Sequence, residues 1–288
     1  MRTASMRMLT PKILLWRRAA MFSLILVLVA CGSKVERWAD EIIEKTYKID
    51  PAASLRIRSA GGSVSIRGMD TPEMQLRAVK KARSAAQLNS IGINIAAQTD
   101  SVSITTNLLR EKNKALSVGT GTVDYTLVVP QTVKIARLEL DDGKVLIEGM
   151  RGEEVSANLA DGQIAIRNCF GKVRVVVANG ALDIFYDQSE RQQFSVDAQI
   201  TNGDVRVFIP RHASYHVRAE TVNGEITNQF TERVELNDRA VRKIDTSAGK
   251  GVLPQIKIRA TTGNIKIAEA KPPDIELSER SASNTGNR

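Results

Sequence analysis

The sequence predicts an all-β chain: a single-stranded β-solenoid, parallel β-helix-like, with coils of about 20 residues and an irregular N-terminal β cap. Three observations carry the prediction. Glycines preceded by a small or polar residue recur at a nearly constant interval. Apolar residues alternate with polar ones on both sides of each glycine, which is the period of two of a strand with one buried face. Aromatic residues are only 4% of a chain that holds 19 glycines, and this suits thin, repetitive β-structure better than a thick mixed core.

The first 30 residues carry Arg2, Arg7, Lys12, Arg17 and Arg18 and no acid, and Met21 to Ala30 is a short uncharged run. A helix needs about 20 apolar residues to cross a bilayer, so residues 1–30 have the layout of a signal peptide. Leu28-Val29-Ala30-Cys31 resembles the lipobox of bacterial lipoproteins. The resemblance implies that the Cys31 thiol is diacylated and becomes the first residue of the mature chain. The plainer alternative is an ordinary signal peptide cut after Ala30. Arg17-Arg18 fits a twin-arginine signal poorly. Gly32, where Asp would favour the inner membrane, implies the periplasmic face of the outer membrane. Residues 31–48 are then a charged, lipid-anchored spacer. Within it, Glu36 to Glu44 makes either a helical turn or the lead into a first strand through Tyr47 and Ile49.

The chain has 41 basic and 32 acidic residues; without the five bases of the leader, 36 bases face 32 acids. So small an excess gives no footing for a nucleic-acid partner. With Cys31 given to lipid, Cys169 has no partner, so no disulfide framework supports the fold.

Residues 49–130 are expected to form the cap. Gly62 already carries the repeat, with Leu55, Ile57 and Ser59 before it and Val64 and Ile66 after. From Gly68 to Lys114 the pattern changes, to strands of an irregular cap or of a small sandwich-like sheet. Alternating segments at Met74–Val79, Ile91–Ile95 and Val102–Ile104 read as strands, separated by a basic, Ala-rich piece, Lys80 to Ala86, read as a solvated loop. A second exposed loop is expected at Leu109–Lys114, and Val123–Val129 reads as a strand closed by Pro130.

The repeats occupy residues 131–270. Gly143, Gly162, Gly180, Gly203, Gly224 and Gly263 follow Asp142, Asp161, Asn179, Asn202, Asn223 and Thr262. Apolar residues stand two and four after most of these glycines, as in Ile164 and Ile166, and seven, five and three before them, as in Val173-Val175-Val177. From position −3 to +2 is an odd number of steps. A straight strand would therefore turn one apolar set outward, so the chain must bend at the glycine, where Asn-Gly and Asp-Gly tolerate φ > 0. An antiparallel meander of Asn-Gly hairpins is the competing reading, but hairpins would recur about every ten residues and these glycines recur about every twenty. The long interval from Gly224 to Gly263 is expected to hide a degenerate copy near Gly249 or Gly251. Residues 271–288, Pro-Pro followed by Ser, Asn and charges, read as a disordered tail.

Stacking the coils would place residues 142, 161, 179, 202 and 223 in one column. It is either a calcium or sugar ladder or, as expected, a line of corner residues satisfying local backbone groups. His212 and His216, four apart, would share a strand face and offer two metal ligands. With no cysteine or acid pair at matching spacing, they are expected to be solvated or half-buried, with no metal. Gly119-Thr120-Gly121 lacks the P-loop pattern, and no Gly-x-Ser-x-Gly elbow occurs. The acids Asp141, Asp142, Glu153, Glu154, Asp161, Asp183, Asp187, Asp197 and Asp204 are scattered rather than gathered into a catalytic patch. Lys80, Lys81 and Arg83, the densest basic cluster, have no aromatic interleaving for stacking on bases.

Leu55-Arg-Ile-Arg-Ser-Ala-Gly-Gly-Ser-Val-Ser-Ile-Arg-Gly68, Tyr125-Thr-Leu-Val-Val-Pro130, the Asn/Asp-Gly units, and Val205-Arg-Val-Phe-Ile-Pro210 with Tyr215–Thr221 and Asn223-Gly224 resemble a bacterial family. It is a family of adhesin-like, β-strand-repeat domains of unknown function. The resemblance spans about residues 45–268 and implies a β-solenoid with no established reaction and no cofactor. It departs at Asn228, where an inward Ile is expected, and over Gln229–Lys250, where a repeat is blurred. The expectation is a non-catalytic scaffold or binding module, held to the membrane by its N-terminal lipid and presenting a flat β-surface to an envelope protein or polymer. The alternatives are a carbohydrate-active β-helix enzyme and an envelope sensor or assembly factor.

Overall fold

The computed structural model describes residues 39–108, 121–187, 194–230, 235–236, 242–250 and 253–270. The leader, Cys31, the spacer up to Trp38, the loop expected at 109–114 and the tail at 271–288 lie outside the described residues. The strands are β1 (Ala39–Lys48), β2 (Ser54–Met69), β3 (Glu73–Ala82), β4 (Ile91–Ala97), β5 (Ser101–Leu108), β6 (Thr122–Pro130), β7 (Lys134–Glu148) and β8 (Glu154–Arg167). They continue as β9 (Lys172–Phe185), β10 (Ser195–Ile209), β11 (Tyr215–Asn223), β12 (Ile226–Asn228), β13 (Glu235–Leu236), β14 (Arg242–Ala248), β15 (Gln255–Thr262) and β16 (Ile265–Glu269). One short helix, α1 (Ala85–Asn89), separates β3 from β4. All sixteen strands join one sheet, an all-β, solenoid-like arrangement.

The bend demanded by the odd offset is visible in β8. Leu159 and Ile164, five apart, are both buried, and so are Val155, Ala157 and Ile166. The strand has two arms meeting at Asp161-Gly162, and both arms face the same interior. Arg174 and Arg206 on the opposite parity are exposed, and Gln163 is half-buried. β2, β7, β8, β9 and β10 repeat this shape and pair parallel, glycine on glycine: Gly62 with Gly143, Gly143 with Gly162, Gly162 with Gly180 and Gly180 with Gly203. Hairpin pairing across Asn-Gly is therefore not how these glycines are used. Inward positions form apolar columns, such as Val64, Val145, Ile164, Leu182, Val205 and Ile265, each 2% exposed or less. Each such side chain contributes about 1.5–3 kcal/mol by leaving water. Ahead of Gly143 the alternation slips, because Ile135 and Leu138 pair with Val155 and Ala157; the extra residue is a bulge at Ala136-Arg137.

The order of strands departs from chain order at the C-terminal end. β15 and β16 pair parallel with β10, and β11 and β12 pair parallel with β15 and β16. The last repeat in sequence is thus inserted before the one that precedes it. Asn223 consequently lies beside Thr262 and not beside Asn202, which corrects the sequential column 142-161-179-202-223. Of the two positions expected for a degenerate copy, Gly251 lies outside the described residues, and Gly249 follows a strand that adds no parallel rung. There β14 runs antiparallel to β11 and covers its outer edge.

At the N-terminal end, β5 and β6 lie parallel to the two arms of β2. β4 pairs antiparallel with β5, β3 with β6, and β1 with β3. Of the two readings of residues 36–44, the described part is strand. Lys80 and Lys81, read as a solvated loop, are on β3 and are neutralised by Glu41 at 2.9 Å and Asp124 at 2.7 Å. Cross-strand partners of opposite charge were what that cluster lacked in one dimension.

Candidate binding surface

Since +2 and +4 point inward, position +5 from the first five corner glycines points outward, and in-register stacking turns it into a column that ends against the buried Ala268. That column is Arg67, Glu148, Arg167, Phe185 and Phe208. Arg67 Nε donates to Glu148 Oε2 at 3.2 Å, and an Arg167 guanidinium nitrogen is 3.8 Å from the other Glu148 oxygen. The Arg167 guanidinium lies 5.1 Å from the centre of the Phe185 ring, and Phe185 is 5.9 Å from Phe208 in a tilted pair. In the +3 column of the same outer face, Arg206 donates twice to Asp183, both at 2.6 Å, while Gln163, at +1, donates from Nε2 to Asp183 Oδ2 at 2.8 Å. Hydrogen bonding to the Asp183 carboxylate raises the Arg206 pKa further. Exposed ion pairs of this kind stabilise a fold by about 0–1 kcal/mol each.

Beside the column is a shallow cleft of about 330 Å³ with Arg67, Gln131, Glu148, Arg151, Asn168 and Phe170 on its walls. The Arg151 guanidinium lies 5.2 Å from the Phe170 ring centre. Cations, amides and aromatic edges on one face can hold a polar or anionic ligand that also offers an apolar flank.

The corner glycines form the backbone seam of the stack. Gly62, Gly143, Gly162, Gly180, Gly203 and Gly263 have φ from +113° to +137°. Gly224, displaced to the last rung, stacks on Gly263 without a left-handed φ, and its carbonyl accepts from Arg242. Beside the seam, Asn202 Nδ2 donates to Asn179 Oδ1, and Asn179 Nδ2 donates to Asp161 Oδ1, both at 2.9 Å. The Asx residues thus satisfy one another. Asp142 and Asp161 are neighbours on exposed backbone, and among the described residues no group of three or more His, Cys, Asp or Glu side chains could hold a metal.

The histidines do not share a strand: His212 is in the turn after Pro210, and His216 is the second residue of β11. Gln255 Nε2 donates to Leu253 O at 3.0 Å, which aims Gln255 Oε1 at His216 Nδ1, 2.7 Å away. His216 Nε2 is 2.6 Å from Asp245 Oδ1. With Gln255 Nε2 committed to Leu253 O, the two atoms facing the ring are acceptors, an arrangement that favours the doubly protonated imidazolium. The Asp245 and Gln255 bonds raise its pKa, against desolvation and nearby Arg218. Because the folded value is raised, the stabilisation is fully present below the unfolded value, about 6.5, and is lost as pH rises through the folded value. The melting-temperature gap between wild type and His216→Ala is expected to be widest near pH 5 and to close toward pH 9; a gap independent of pH would contradict the imidazolium assignment.

Cys169 is buried, with Sγ 3.4 Å from Arg167 O, and burial pushes its thiol pKa up to about 12. A neutral, enclosed thiol is a packing group rather than a nucleophile. It adjoins Tyr186, whose hydroxyl donates to Cys169 O at 2.8 Å and whose ring stacks on Phe194 at 4.5 Å.

Sequence reasoning named the corners and the Asx line but missed the +5 column. Its signal was present: Arg67, Glu148, Arg167, Phe185 and Phe208 each stand five residues after a corner glycine.

A family model described as Toastrack DUF4097 matches residues 41–268. None of the curated proteins compared with the chain matches it. Among solved structures it is similar to a "putative cell adhesion protein" of Clostridium sporogenes, at 13% identity over 80% of this chain and 100% of that one, TM-score 0.42. It is also similar to a "putative adhesin" of Bacteroides fragilis, at 11% identity over 80% of this chain and 97% of that one, TM-score 0.28. A "putative lipid binding protein" of Parabacteroides distasonis is similar at 10% identity over 80% and 97%, TM-score 0.27.

Proposed function

This chain belongs to the Toastrack DUF4097 family, and from that premise we propose that it is a non-catalytic, lipid-anchored binding or scaffold module of the bacterial cell envelope, adhesin-like in mode. In this reading the bent strands form a β-solenoid with coils of about 20 residues. Cys31 carries the lipid, the protein sits at the periplasmic face of the outer membrane, and the outer face of the second arms meets an elongated protein or an envelope polymer.

The observation that carries the reading is the +5 column, where Arg167, Phe185 and Phe208 stand on consecutive rungs with their side chains in contact. Rungs are about 4.8 Å apart, so a ligand with its own regular repeat can be met rung by rung. Two half-buried phenylalanine rings on an outer face offer apolar area that an interface can close off.

The rival is a carbohydrate-active enzyme. Glycoside hydrolysis needs two carboxylates flanking one bond, usually with one in a sheltered site that raises its pKa. Asp142 and Asp161 are instead exposed, and their column continues as the hydrogen-bonded amides Asn179 and Asn202.

The test is capture from envelope extracts beside a screen for polysaccharide degradation. Phe185→Ala with Phe208→Ala is expected to weaken capture by about tenfold or more, equivalent to about 1.4 kcal/mol, with the melting curve nearly unchanged. Undiminished capture by that double variant would remove this surface from the reading. Turnover of any glycan that Asp161→Asn abolishes would replace it with the enzyme.

A further inference from the structure

Every open sheet ends in strands whose outer N–H and C=O groups are unpaired, and natural proteins protect such edges with charge, brevity or covering strands. Among the described residues this sheet has four such edges. β1 carries Asp40, Glu41, Glu44, Lys45 and Lys48 in ten residues. β12 is three residues long. β13, the strand at the opposite end, is two residues long, and β14 behind it carries Arg242, Lys243 and Asp245. β4, Ile91-Gly92-Ile93-Asn94-Ile95-Ala96-Ala97, has seven residues, no charge and no proline, and pairs only with β5.

The side chains of β4 carry the same message. Inward residues of its neighbour are closed off: Val102 is 1% exposed and Ile104 0%. The corresponding residues of β4 are not. Ile93, Ile95 and Ala97 pack on the core yet stay only partly buried, because no described strand lies beyond them. The apolar interior therefore ends half-covered at an edge able to accept one more strand.

We propose that β4 pairs antiparallel with β4 of a second copy of this chain, joining the two sheets edge to edge. A two-fold axis perpendicular to the sheet keeps each residue on its own face, so only registers that pair odd with odd and even with even are allowed. The register centred on Asn94 uses the whole strand. It sets Ile91 opposite Ala97, Gly92 opposite Ala96, Ile93 opposite Ile95, and Asn94 opposite its twin. Inside, Ile93 and Ile95 of one copy cover Ile95 and Ile93 of the other; outside, only Gly, Asn and Ala meet. No like charges oppose each other, as Glu44 would if β1 paired in the register centred on it. A one-strand interface is small, and confinement of both copies to one membrane surface would raise its occupancy by effective concentration. The proposal does not depend on what the outer face of the second arms binds.

Sedimentation of the purified full chain in detergent, over rising concentration, is expected to show a monomer passing to a dimer. Asn94→Lys or Ala96→Lys, each at an exposed position, should abolish the dimer without shifting the melting curve. Asn94→Cys, placed in the full chain with Cys31→Ser so that the other thiol is the buried Cys169, should yield a disulfide-linked dimer on oxidation. The Cα separation of directly opposed residues, about 4.5 or 5.5 Å, is within bridging range. A wild type that stays monomeric, a dimer that survives both lysine variants, or an Asn94→Cys variant whose new thiol couples only to a different protein would overturn the self-pairing.

Discussion

Gly162→Val is expected to unfold the stack or lower its melting temperature by roughly 10 °C or more. Two independent causes act at that position. Its φ is +129°, a region essentially closed to residues with a Cβ, at a cost of about 1–3 kcal/mol. In addition, a Cβ on Gly162 would overlap the carbonyl oxygen of Gly143 on the neighbouring rung. Relief of that overlap requires two rungs to separate, and this breaks the parallel pairing of β7 with β8. Together the costs amount to about 3 kcal/mol or more against a typical total of 5–15 kcal/mol, and each 1 kcal/mol moves the melting point of a chain of this size by about 2–4 °C. Gly61→Ala is the control. Its added carbon would meet nothing closer than 3.7 Å and its φ is not left-handed, so it should melt within a few degrees of wild type. Circular dichroism melts of the two variants decide the matter: equal, wild-type-like curves would mean that the glycine seam is not what bends the strands.

Cys31→Ser is expected to move the protein almost completely from the membrane fraction to the soluble periplasm, or to leave an uncleaved precursor. Each buried methylene of an acyl chain contributes about 0.8 kcal/mol of membrane affinity, and stable anchoring takes two chains or a second signal. In the proposed reading, loss of the Cys31 thiol would remove the chains together. The described residues offer no substitute anchor of the helical kind, since no helix among them is long and apolar enough to cross a bilayer. Metabolic palmitate labelling of wild type and fractionation of both forms are the measurements. An unlabelled wild type with unchanged fractionation of the variant would overturn the lipoprotein assignment.

Much of the fold was legible because its rules are local. Whether Ile164 points in and Gln163 out follows from strand parity, and the bend at Asp161-Gly162 follows from counting the residues between two apolar sets. The bulge at Ala136-Arg137 was less legible, because one extra residue has no chemical mark of its own and is defined only against the partner strand. His216 illustrates a different limit. Its partners Asp245 and Gln255 are 29 and 39 residues away, and they belong to strands whose neighbours were misassigned. Spacing along one strand paired His216 with His212, which is in a turn, and predicted only solvated or half-buried rings, whereas the tertiary arrangement made His216 a hydrogen-bonded clasp between three strands.

By itself, then, the sequence determined the class of structure, the position of each corner, the buried parity of each arm and the resemblance of Leu28–Cys31 to a lipidation signal. Only the tertiary structure decided which rung lies on which. The reason is physical: Val196-Ala198-Ile200, Ile256-Ile258-Ala260 and Val217-Ala219-Thr221 present nearly the same apolar face, so repeats carry little information about their neighbours. β15 lies between β10 and β11, and β14 covers the outer edge of β11. The outer column had to wait for the same decision. Arg167, Phe185 and Phe208 are 18 and 23 residues apart in sequence, and they become a surface only when parallel pairing sets each about 4.8 Å from the next.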